Sequence, residues 1–151
     1  MDAFCENLNE LLVNAFRSVL KLEEQMLRSM GTFNLSIGEM HLLEVVGKDG
    51  DTGRTVSETA KELALTVPTV TVAANKLEKK GLLCKTRAMD DGRAVILTLS
   101  EVGRKIDRIH QRFHENMVKN IANGIDEAEK AALLHAMGKL NLFFDRKLSK
   151  P

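Results

Sequence analysis

The chain has 151 residues, 44% hydrophobic and 28% charged, with a formal net charge of +1. That length suits one domain with a real core, and the composition is ordinary for a soluble globular protein. No apolar run is long enough to span a bilayer, and the opening Met-Asp-Ala-Phe-Cys-Glu lacks a signal peptide's positive and apolar regions, so a cytoplasmic protein with no membrane partner is expected. Cys5 and Cys84 have no paired spacing and suggest neither a disulfide framework nor a zinc ribbon.

In chain order, Phe4, Leu8, Leu11, Ala15, Val19, Leu22 and Met26 recur at steps of three and four, which predicts one amphipathic helix over residues 3–30. Phe16, Leu20 and Leu27 widen its stripe, so this helix is expected to have more than one neighbour, and Gly31 stops it. Ser36 and Glu39 have capping-box spacing ahead of Ile37, Met40, Leu43 and Val46. Gly47 to Gly53 reads as a loop.

Thr55 and Glu58 repeat the capping box, and Val56, Ala60 and Leu63 give a short helix its buried side. Thr66 caps the next helix, with Pro68 in the first turn where a missing N–H is tolerated. Val70, Ala73, Ala74 and Leu77 face inward; Pro68, Thr69, Thr71, Val72, Asn75, Lys76 and Lys79 face out. Threonine and asparagine are weak helix formers, so an outward face built from them suggests contact with a partner rather than helix stability. The alternative is that β-branched residues are tolerated beside a tight turn.

Gly81 is placed as a left-handed cap. Leu83 to Arg87 and Val95 to Leu99 read as strands around Ala88-Met-Asp-Asp-Gly-Arg93, whose Asp-Gly pair signals a hairpin, with Lys85, Arg87 and Arg93 on the ribbon. Ser100 caps a long helix striped by Val102, Ile106, Ile109, Phe113, Met117 and Ile121. Gly124 breaks it, and Asp126 with Glu129 opens a last helix striped by Leu133, Met137, Leu140 and Phe144. Cys84 is expected to be a small buried hydrophobe.

Two helices, a tight turn and a basic hairpin in this order form a helix-turn-helix with a wing, a DNA-reading device. The fold class expected is mainly α (α+β): a single domain over residues 1–151, with a winged core at 33–99 and dimerisation helices at 1–30 and 100–148. Charge distribution agrees. Residues 54–105 carry ten Lys/Arg against six Asp/Glu, which leaves the flanks net acidic. The terminal apolar stripes exceed what a winged helix needs, and a symmetric homodimer would bury them.

The segments Leu77-Glu-Lys-Lys-Gly-Leu-Leu83, Asp91-Gly-Arg93 and Leu97-Thr-Leu-Ser-Glu-Val-Gly103 resemble the MarR family of bacterial transcription regulators, over nearly the whole chain. The resemblance implies a homodimer binding a palindromic operator on double-stranded DNA, usually as a repressor. It implies that Arg93 enters the minor groove and that Asp91 orients it, roles suited to a guanidinium in a narrow negative groove. The helix from Thr66 to Lys80 would lie in the major groove. Pro68 stands on that face, Thr69, Thr71 and Asn75 would reach bases or phosphates, Lys76 and Lys79 would serve the backbone, and Arg87 on the ribbon is a further DNA-binding candidate.

Ser36-Ile-Gly-Glu-Met-His41 and Arg108-Ile-His-Gln-Arg-Phe-His114 resemble the subgroup that represses fatty-acid synthesis genes, which implies a long-chain acyl carrier protein as corepressor. Leu22, Met26 and Met30 would line an acyl slot; the plainer reading is a methionine-rich core. His110 and His114, four residues apart, share one helix face. With Glu24 and His41 they resemble by position a site in zinc-responsive members, a Glu/His₃ set chemically suited to zinc. The alternative is a hydrogen-bonded cluster tying the dimer helices to the reading head. Redox sensing at Cys5 is not expected, because the chain has no Tyr and Glu6 opposes a thiolate. No catalytic constellation is suggested, so the chain is not expected to be an enzyme; a winged helix for protein contact alone is the remaining alternative.

Overall fold

The structure, a computed structural model, describes residues 1–90 and 92–149. Helix α1 (Ala3–Ser29) starts where Asp2 accepts the Cys5 N–H at 2.8 Å. Helix α2 (Ile37–Gly47) follows, with both reciprocal bonds of the Ser36–Glu39 capping box formed. A 3₁₀ turn, Gly50–Thr52, leads to strand β1 (Arg54–Thr55) and helix α3 (Val56–Glu62), again opened by a complete capping box, from Thr55 and Glu58. Helix α4 (Val67–Lys79) is capped by Thr66. Strands β2 (Leu83–Arg87) and β3 (Val95–Leu99) form the hairpin, and helices α5 (Glu101–Asn123) and α6 (Glu127–Leu148) complete the described chain.

The winged helix-turn-helix expected from the sequence is the fold observed. The sheet order is β1-β3-β2, antiparallel throughout, with Lys85 opposite Leu97 and Arg87 opposite Val95. β1 is the element that sequence reading did not anticipate. Two residues cannot show a period, and Arg54 and Thr55 are held by pairing with Leu97 and Ile96 rather than by a pattern of their own.

The core sits between the helix-turn-helix and the sheet. Leu43, Val46, Ala74, Leu77, Leu82 and Leu97 are fully buried there. Truncating such a leucine to alanine costs roughly 2–5 kcal/mol. α4 ends in a complete Schellman arrangement: Gly81 is left-handed at φ 75°, its N–H reaches Glu78 O, and the Leu82 N–H reaches Leu77 O. Leu82 is thereby delivered to the core. Lys80 then donates to Glu39 Oε2 at 2.9 Å and to the Asn34 carbonyl at 3.0 Å, which ties the end of α4 to the start of α2.

α1 and α5 enter this core through few residues. Leu27 and Ile106 are their buried apolar side chains, and α6 has no buried residue. Phe4, Leu11 and Phe16 on α1, Ile109 and Ile121 on α5, and Leu134, Phe143 and Phe144 on α6 stand exposed. One expectation is corrected here: Cys84 is exposed, not buried. Side chains alternate along β2, so with Leu83 facing the core its neighbour faces solvent.

Candidate nucleic-acid interface

The polar face of α4 is built by its cap and its inward stripe. Val70, Ala74 and Leu77 are buried and Ala73 half-buried, which turns Pro68, Thr69, Thr71, Val72, Lys76 and Lys79 outward, all exposed. Thr69 and Thr66 share a hydroxyl bond of 2.7 Å at the first turn, and Thr71 Oγ1 donates back to the Val67 carbonyl at 3.0 Å. The helix's own groups thus orient both threonines while leaving oxygen lone pairs outward. Asn75 differs: it is half-buried, and its side-chain oxygen accepts from Lys85 Nζ on β2.

The hairpin stands beside this helix. Ala88 N–H bonds the Ala94 carbonyl at 2.9 Å, closing the ribbon, and Arg87 reaches the Gly92 carbonyl at 3.5 Å. Arg87 and Arg93 are exposed. Asp91, expected to orient Arg93, lies outside the described residues. At the base of the wing, Arg54 bonds Asp49 at 2.7 Å and also pairs with Glu62, which Lys48 contacts too. The Lys48 bond, joined by the bond and charge of Arg54, holds the Glu62 carboxyl below its ordinary range despite the opposing effect of burial. Arg104 of α5 pairs with Asp51 in the same region.

A second group of polar residues joins α1, α2 and α5. Glu23 Oε1 lies 2.9 Å from His110 Nε2, 3.0 Å from His114 Nε2 and 3.3 Å from His41 Nε2, and the Nε2 atoms of His110 and His114 are 3.0 Å apart. Glu23 is 3% exposed and His110 1%. Burial alone would push the Glu23 carboxyl up; hydrogen bonds from His110, His41 and His114 outweigh it and hold that carboxyl below its usual range. On the far side of His110, Nδ1 has no hydrogen-bond partner among the described residues, and Glu44 Oε2 stands 3.8 Å away. Nearby Asp107 is pushed up, first by burial and then by the charge of Glu44.

This arrangement corrects one assignment. Of Glu24, His41, His110 and His114, the three histidines converge, but Glu24 does not join them. It is exposed on the next face of α1, 3.9 Å from Arg28, and Glu23 takes its place. One residue along a helix is a rotation of about 100°, enough to exchange the inner and outer carboxylate. The sequence carried a signal for this. Glu23 is bracketed at three and four residues by Val19, Leu20, Met26 and Leu27, so it sits in the middle of the apolar face.

Of the residues expected to line an acyl slot, Met26 and Met30 are half-buried against the core and Leu22 is exposed. A recess of about 300 Å³ lies beside the histidines, lined by Phe16, Val19, Leu20, Glu23, His41, Glu44 and His114.

Comparison with known proteins agrees with this geometry. A family model described as transcriptional regulator SarA/Rot matches residues 27–109, more than half of the chain. Among solved structures, Streptococcus pneumoniae FabT in complex with DNA is 39% identical, covers 93% of this chain and 97% of its own, and superposes with a TM-score of 0.88. The Staphylococcus aureus MepR–DNA complex shares the fold at a TM-score of 0.62 and 23% identity, over 87% of this chain and 98% of that one. The helix-turn-helix-type transcriptional regulator YwhA of Bacillus subtilis is 25% identical over 130 residues, 86% of this chain and 92% of YwhA. With a basic wing, an outward polar helix and these relatives, the chain belongs to the MarR and SarA/Rot class of winged helix-turn-helix transcriptional regulators, which bind DNA.

Proposed function

We propose that this regulator works in the cytoplasm as a homodimeric repressor on a palindromic operator. Residues 33–99 form the reading head; residues 1–30 and 100–148 pair the two copies. In each head α4 enters the major groove, with Thr69, Thr71 and Asn75 against bases or phosphates, Pro68 at the helix entry, and Lys76 and Lys79 against the backbone. Arg87 and Arg93 of the hairpin serve the adjacent backbone and minor groove, with Asp91 orienting Arg93. The observation that carries this reading is the juxtaposition of the exposed polar face of α4 with a basic hairpin. The many large apolar residues exposed on α1, α5 and α6 support pairing, since their number exceeds what scattered surface positions require.

The effector we propose is a long acyl chain delivered on acyl carrier protein, acting as corepressor in the control of fatty-acid synthesis. The likeness to FabT and the recess walled by Phe16, Val19 and Leu20 support it. The test is selection of bound sequences from fragmented genomic DNA, followed by operator titration with and without long-chain acyl carrier protein. Enrichment upstream of fatty-acid synthesis genes, with tighter binding when the acylated carrier is present, is expected. Enrichment elsewhere and indifference to the carrier refute it.

One observation favours a second reading, a zinc-responsive regulator. His110 Nε2 and His114 Nε2 stand 3.0 Å apart, and both face Glu23 Oε1, so three ligand-type atoms crowd one point. A cation held by Glu23, His41 and His110 would satisfy those three groups at once. Glu23, His41 and His110 offer ligand atoms that all lie within 4.8 Å of one another, close enough for one ion to reach all three. Bound zinc would supply a cross-link between α1, α2 and α5. Metal analysis of protein purified without chelators or an affinity tag decides: stoichiometric zinc and a zinc-dependent operator affinity support this reading, and neither leaves the cluster as a hydrogen-bonded tie.

A further inference from the structure

The contact between Lys85 and Asn75 fixes more than a position. A lysine ammonium has three donors and no acceptor. The amide atom that meets Lys85 Nζ is therefore oxygen on chemical grounds, and the Asn75 amino group is turned the other way. Glu78, one turn along α4, holds the lysine in place. It accepts the Lys85 backbone N–H at 3.3 Å and lies 3.7 Å from Nζ. The amino group of Asn75 has no hydrogen bond among the described residues, although the side chain sits on the face shared with exposed Thr71, Val72 and Lys79.

An asparagine that reads adenine uses both ends of its amide, accepting from N6 and donating to N7. At Asn75 one lone pair of the accepting oxygen is already engaged by Lys85, and the amino group is the end left wholly open among the described residues. We infer that Lys85 is a positioning residue which, with Glu78, sets Asn75 as a hydrogen-bond donor toward DNA. Its counterpart is then an acceptor: a purine N7, guanine O6, thymine O4, or a phosphate oxygen. Lys85 on the wing strand thus shapes what the recognition helix reads without itself touching DNA. This inference rests on the proposed placement of α4 against the operator.

The experiment is a double-mutant cycle on operator affinity, using DNA selected by the wild-type protein. The variants are Asn75→Ala, Lys85→Met and the pair, with Lys85→Arg as the conservative substitution and thermal unfolding of each variant as a folding check. Losing one well-placed hydrogen bond corresponds to a drop of about 3- to 10-fold. Lys85→Met is expected to weaken binding by that much in the wild-type background, to add less than about 2-fold to Asn75→Ala, and to leave the salt dependence unchanged; Lys85→Arg, which still donates, keeps near-wild-type affinity. A preference that shifts at one base pair in Lys85→Met, measured by repeated selection, marks a base acceptor; a uniform loss marks a phosphate. Equal losses in both backgrounds, with a salt slope reduced by about 1, overturn the inference and make Lys85 a phosphate contact. No effect of Lys85→Met in either background overturns it too. A neutral Asn75→Ala removes the placement of Asn75 on DNA, a failure distinct from additivity in the cycle.

Discussion

Replacing Glu23 by alanine tests the polar tie between the long helices and the reading head. The carboxylate accepts from His110 at 2.9 Å, with both residues buried. A buried hydrogen bond to a charged group is worth roughly 1.5–3 kcal/mol. His41 and His114 are about a third exposed at their side chains, so their bonds to the same oxygen are screened and count for about 0.5 kcal/mol each. The variant also leaves His110 Nε2 facing only His114, beside an Nδ1 that already lacks a partner among the described residues. Together these give a loss of about 3 kcal/mol, a fall in Tm of roughly 6–12 °C for a chain of this length. Urea unfolding at fixed protein concentration is the assay, and the midpoint should move without a change in m-value. Glu24→Ala is the control. Its carboxylate is exposed and 3.9 Å from Arg28, so the change should lie within about 0.5 kcal/mol. A loss below 1 kcal/mol for Glu23→Ala, or an equal loss for Glu24→Ala, refutes the reasoning.

Further measurements address the head and the same cluster. Arg93→Ala should weaken operator binding at least 10-fold in an electrophoretic or anisotropy titration while sedimentation shows the same assembly as the wild type. Gly103→Ala should destabilise by about 3 kcal/mol in urea unfolding, because the added Cβ would stand 2.0 Å from the Leu82 carbonyl oxygen and α5 would have to shift off the strand. The Glu23 carboxyl is held below its ordinary value of 4.5, so its stabilising effect is complete above that value and is lost as pH falls through the depressed one. Stability curves taken from pH 7 to 3 should therefore fall more steeply below about 4.5 for the wild type than for Glu23→Gln.

The reading head was legible because its signals are local. Ser36–Glu39, Thr55–Glu58 and Thr66 each place a helix start through bonds spanning three residues, and all of these caps form. Asp-Gly, followed by the alternation from Val95 to Leu99, placed the hairpin. What sequence reading missed depends on distant partners. β1 exists through β3, and Lys85 matters through a side chain ten residues away on another element. α1 is the instructive case. It has apolar residues around much of its circumference, so the stripe alone did not say which carboxylate faces inward. A charge bracketed at three and four residues by Val19, Leu20, Met26 and Leu27 did say so.

That bracketed charge also bears on how a regulator of this build can be switched. The long helices meet the core of the head through buried Leu27 and Ile106 with half-buried Met26 and Met30, and next to these the joint is polar: Glu23, His41, His110 and His114, with Asp107 and Glu44 behind. An apolar joint resists motion in proportion to its buried area, but a polar joint is sensitive to single bonds. A tenfold change in operator affinity corresponds to 1.4 kcal/mol of differential binding. One buried charged hydrogen bond in this joint is of the same size. A molecule entering the recess beside Phe16, Val19 and Leu20 touches Glu23, His41 and His114 directly. It therefore needs to alter only one of these bonds between two arrangements of the head to change DNA binding tenfold, and it need not disturb the core at all.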